Sequence, residues 1–137
     1  MSTRENIASN LVTVIGNISS PDVKKVTRQP FELDELSQQQ YPAVLIQTIE
    51  ETKEDQEIGS GAKTRICTLE FGITGYIKGS ESNIDTARND LASAVETALE
   101  SDITRNGNAL DTEVISIETD AGSLFPYGAV LITVRVI

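Results

Sequence analysis

The candidates for chemistry in this sequence are its carboxylates and one thiol. The chain holds twenty-one Asp and Glu, one Cys and no His. Without His there is no Ser-His-Asp or Cys-His nucleophile and no His-ligated zinc. One Cys builds neither a Cys-rich zinc site, nor an iron–sulfur site, nor an intramolecular disulfide. Paired acids can do general acid/base work when burial drives their pKa values apart. No spacing here singles out such a pair, so the acids read as solvated surface. Cys67 falls on the apolar side of a strand pattern and reads as a small buried hydrophobe. Arg65, two residues away, extends along the strand and gives little support for a reactive thiolate. Gly59-Ser60-Gly61 and Gly72-x-x-Gly75 lack the Lys-Ser/Thr of a phosphate loop and read as turn and strand glycines. The expectation is a protein with no catalytic residues, no cofactor and no metal, hence not an enzyme.

Charge is the more informative feature. Eleven Lys and Arg leave a formal net charge of −10. That balance argues against gripping nucleic acid by phosphate neutralisation. The charge is also segregated. Residues 1–28 carry Arg4, Lys24, Lys25 and Arg28 against two acids, whereas residues 81–102 carry six acids against Arg88. Such asymmetry suits head-to-tail packing of identical subunits into a ring, or two segments that face each other within one chain. A second acidic stretch holds Glu50, Glu51, Glu54, Asp55 and Glu57 against Lys53 alone. It reads either as a solvated loop tip or as a surface that repels nucleic acid. It lacks the alternating ligands and central Gly of an EF-hand. Leu124, Phe125, Pro126 and Tyr127 form an apolar loop that either packs back on the domain or docks on a partner.

The elements that must position these groups fit one domain, 1–137. No apolar run approaches the ~18 residues of a membrane span. The opening MSTRENIASN lacks the apolar core of a signal peptide, so the chain is expected to be made in the cytoplasm. Residues 2–18 have helical spacing through Ile7, Leu11, Val14, Ile15 and Ile18, with Ser2 and Glu5 placed as a capping box. Residues 23–29 suit a short charged edge strand. A loop at 30–42, with one turn near Leu33–Leu36, precedes a strand at 43–51 and a polar connection. Residues 64–78 alternate clearly as a strand, with Gly72 and Gly75 marking a bend or bulge. A second helix at 83–101 has Ser82 as N-cap and crowds Glu96, Glu100 and Asp102 at its negative end. Strands at 112–119 and 129–137 follow a turn at Asn106-Gly107-Asn108. The order α-β-β-β-α-β-β predicts an α+β fold, a mostly antiparallel sheet with both helices on one face.

The segments RENIASNLVTVIGNI, YPAVLIQTIEE, TLEFGITGYIKG, IDTARNDLASAVETALESD and DAGSLFPYGAVLITVRVI, in this order, resemble tail terminator proteins of long-tailed bacteriophages. These are similar to the lambda-type minor tail protein that ends tail polymerisation. The resemblance covers nearly the whole chain and rests on element order and texture. It implies a compact α+β subunit in a homo-hexameric ring within the virion tail or neck, with no catalysis, cofactor or membrane. The implied partners are further copies of the chain, the major tail tube protein and the head–tail connector or neck proteins. Duplex DNA would pass through the bore without specific binding. Glu50, Glu51, Glu54, Asp55 and Glu57 are then candidate lumen or ring-face acids. Leu124, Phe125, Tyr127, Arg4, Lys24, Lys25 and Arg28 are candidate subunit or tube contacts. Two alternatives stay open: another neck protein, such as a connector or tail completion protein, and a cytoplasmic binding module without catalysis.

Overall fold

Two periodicities sort this chain. Apolar residues three and four apart give helices, and strict alternation gives strands with one buried face. A computed structural model describes residues 3–19, 23–30, 41–55, 65–78, 84–120 and 127–137. Its elements are α1 (Thr3–Gly16), β1 (Lys25–Thr27), β2 (Ala43–Asp55), β3 (Arg65–Lys78), α2 (Ile84–Glu100), β4 (Thr112–Thr119) and β5 (Tyr127–Val136). The expected α+β order is present. The expected Ser2 and Ser82 caps and the turn near Leu33–Leu36 lie outside the described residues.

The strands form one sheet in the order β1-β2-β3-β5-β4. β1 runs parallel to β2 and every other pair is antiparallel. Both helices cover one face. Ile7, Leu11 and Ile15 of α1 and Leu91, Val95 and Leu99 of α2 meet Val44, Ile46, Phe71, Ile73, Ile132 and Val134 in a single core. β5 lies inside the sheet, and its residues alternate strictly between the core and the open face. Burial of these side chains stabilises the fold by roughly 1.5–3 kcal/mol each, relative to exposure.

Four sequence expectations change. The acidic stretch is not all loop: β2 continues to Asp55, because β3 offers backbone partners down to the Asp55–Arg65 pair. Cys67 is exposed, not buried. Its strand alternates correctly, but β5 ends where Val136 meets Leu69, and the core ends with it. Beyond that point residues 52–55 and 65–68 form a two-stranded arm. Gly72 and Gly75 make no bulge: the β3–β5 ladder is regular from Leu69 to Lys78, and the irregularity lies in β2, between Thr48 and Glu50. Gly75 serves close packing instead. A Cβ there would stand 2.5 Å from Leu91 Cδ2, so the missing side chain lets α2 settle on the sheet. Finally, the end of α2 is not simply burdened with like charge. Asp102 lies beyond the helix, and its carboxylate accepts from the Thr104 hydroxyl and from the Thr104 and Asn106 amides. Arg105 is fully buried and donates to the Leu99 carbonyl at 2.6 Å and to the Asp102 carbonyl. It supplies the cation that the last turn of α2 lacks.

Candidate functional site

The charged residues sort into three places. The outer half of β2 is the first. Glu50 is exposed on β2, and Glu51 is half-buried and pairs with Arg4 of α1 at 2.7 Å. Glu54 and Asp55 belong to the β2 ladder, opposite Ile66 and Arg65, and Glu57 lies outside the described residues. The bulge between Thr48 and Glu50 shifts the face of the strand, which is why Glu51 turns toward the helix layer.

The helix layer is the second place. Asp85, Asp90 and Glu100 are exposed along α2. Arg88, the base among them, is buried. It donates to Asp85 at 3.0 Å and to the buried Asp120, which precedes the connection to β5. Asp120 also accepts from the Ala129 amide at 3.1 Å. Arg88 thus ties α2 to both strands of the β4–β5 pair, and its own pKa is raised by those two carboxylates. Since its charge is spent inward, the solvent face of α2 is more acidic than the sequence count implies. Between this helix and the end of α1 runs an open groove of about 720 Å³, lined by Asn17, Ile18, Asp90, Ser93 and Thr97 among others. Among the described residues of that lining Asp90 is the one titratable group, and they offer no acid–base pair.

The third place is the pair of sheet edges. At one edge, Lys24, Lys25 and Arg28 flank or belong to β1. Arg28 makes a two-pronged ion pair with Glu5 of α1, at 2.9 and 2.8 Å. That contact lowers the pKa of Glu5 and raises that of Arg28. The basic first segment is therefore partly neutralised within the chain, through Arg4–Glu51 and Arg28–Glu5. At the other edge lies β4, with Glu113 and Glu118 exposed.

Tyr127 opens β5, its ring 5.9 Å from that of Tyr41 and under the Lys78 ammonium. It is half-buried against its own chain. Leu124 and Phe125 lie outside the described residues. A set of exposed apolar residues escaped the sequence reading. Ile103, Leu110, Ile115 and Ile117 are exposed by 42%, 77%, 40% and 41%. Their signal was the unbroken run Val114-Ile115, which departs from alternation, but only the strand order makes β4 an edge.

Among the described residues no three of His, Cys, Asp and Glu lie together as metal ligands, and no helix is long and apolar enough to cross a membrane. No protein-family model matches the chain, and no curated protein matches it in sequence. Among solved structures, a chain described as "Virion of native gene transfer agent (GTA) particle" is similar at 10% identity, with 92% of this chain and 81% of that chain covered and a TM-score of 0.40. Similarity at that level assigns neither family nor function.

Proposed function

We propose that the chain is a non-enzymatic structural subunit of a phage-type particle, which assembles with copies of itself into a hexameric ring and caps the tail tube as a tail terminator. The single observation that carries the reading is the layout of its surface. One small α+β unit joins an acidic β2 strand, an acidic helix face and an open sheet edge lined with apolar side chains. Exposed apolar residues gathered along one edge suit assembly. Acids along β2 suit a channel wall, since like charge keeps a DNA backbone from adhering. The resemblance of the sequence segments to tail terminators supplies the specific role.

In this reading the ring sits on the last ring of major tail tube protein and offers its far side to the head–tail connector. It is made in the host cytoplasm and ends in the virion, at the neck. The protein has no reaction to perform, needs no cofactor and binds no membrane. Negative-stain imaging of the purified protein tests this. Six-fold rings with a central bore are expected, and rings added to growing tubes of the tail protein should stop their growth. Rings that bind heads and leave tube growth running would indicate a connector instead. Particles without rings, alone and with tubes, would overturn the assembly reading.

A further inference from the structure

We infer that the β4 edge of one copy pairs with the β1 edge of the next, so that the sheet continues from subunit to subunit. This rests on the ring reading above and names the surface that builds the ring.

β1 and β4 are the two ends of the strand order, and among the described residues no strand lies on the outer side of either. An open edge presents a row of backbone donors and acceptors, which proteins normally blunt with charge, Pro or very short strands. β1 is short and basic, whereas β4 is eight residues long. Of the large apolar residues exposed among the described residues, four of five lie in β4 or in the segment leading to it. The edges are complementary in charge: Lys24 and Lys25 at one, Glu113 and Glu118 at the other. Pairing β4 with a second β4 would instead gather four carboxylates on one seam.

Direction and register agree with this charge pattern. Following the pairings across the sheet, β4 runs opposite to β1. A neighbour translated along the sheet therefore meets β1 as an antiparallel strand. Val26 points to the helix side, where its methyl lies near Gly16 of α1. Ile117 lies opposite the core residue Ile132, on the same side. Lys25 and Glu118 point to the open side, because each is next in sequence to one of these two. Setting Val26 against Ile117 therefore sets Lys25 against Glu118 and Thr27 against Ser116. It joins one apolar pair, one ion pair and one hydroxyl pair without crossing a face.

The test is charge exchange, read by light scattering coupled to size exclusion and by imaging. Glu113→Lys with Glu118→Lys, and separately Lys24→Glu with Lys25→Glu, should each weaken assembly by about tenfold or more. Mixing the two double variants should restore rings, because each then offers the other a complementary edge. Ile117→Lys is a second probe, expected to disperse rings while the far-UV circular dichroism spectrum stays native. If the wild type forms rings and all these folded variants still form them alone, the edge contact is overturned and the ring reading stands. A wild type that forms no ring overturns both.

Discussion

At the scale of residues, two contacts hold the ends of α2, and each makes a prediction. Arg88 and Asp120 are buried together, thirty-two positions apart. Removing one member of such a pair leaves a charge in a poorly solvated place, which costs about 3–5 kcal/mol. Because Asp85 still faces Arg88, Asp120→Asn is expected to cost about 2–4 kcal/mol in urea unfolding. Adding Arg88→Met should recover part of that loss. Asp102 gives a pH signature. Its hydrogen bonds from the Thr104 hydroxyl and the Asn106 and Thr104 amides lower its pKa from 3.8 to about 2. A depressed carboxylate stabilises the fold above its unfolded pKa and loses that contribution as pH falls toward its folded value. Asp102→Asn should therefore lower the melting temperature at neutral pH, and the gap from wild type should close between about pH 4 and pH 2. Thermal melts across that range check it. Neither contact was legible in the sequence. Arg88 was a lone base among acids, and its turn inward depends on a partner from a distant segment.

Elements were far more legible. Spacing placed both helices and all five strands, because the two periods differ and the buried faces are strongly apolar. The errors came from geometry that period does not encode. Cys67 continues the alternation of β3, yet the core stops at Leu69 because β5 ends at Val136, opposite it. The glycines of β3 looked like bend markers, and they are points of approach. Gly75→Ala puts a methyl against the fully buried Leu91 and should cost about 1–3 kcal/mol, from overpacking. Gly72→Ala is the matched control. Its methyl would meet Ile49, which is exposed and free to give, so its unfolding midpoint should stay close to wild type. Urea titrations of the two variants separate a packed face from an open one.

For the whole molecule, assembly is the property that gathers the observations. The arm is a two-stranded ribbon past the end of the core, and such ribbons are marginal alone in water. If the chain forms the proposed ring, Lys in place of Glu50, Glu54, Asp55 and Glu57 is expected to leave it intact and slow DNA passage, whereas Glu51 is held by Arg4 within the subunit and is left in place. Ejection rates measured on particles carrying this variant check it, and rates equal to wild type would remove the acids from the channel wall. Phe125 calls for a narrower test than Tyr127. Tyr127 packs on Tyr41 within its own chain, so Tyr127→Ser would disturb the subunit itself. Phe125→Ser is the cleaner variant, and rings of unchanged size in chromatography would take Phe125 out of the interface.

The sequence by itself determined the fold class, the absence of His chemistry and the acidic balance. Each of these follows from composition or from local period. Only the tertiary structure decided where the charge goes. Arg4, Arg28 and Arg88 all meet acids far away in the chain, so a count of charges by segment overstates the basic first segment and understates the acidity of α2. The structure also decided which strand is left at an edge. β5, last in sequence, inserts between β3 and β4 and turns β4 outward. Strand order is set by long-range packing under two helices, and no local pattern of residues carries it.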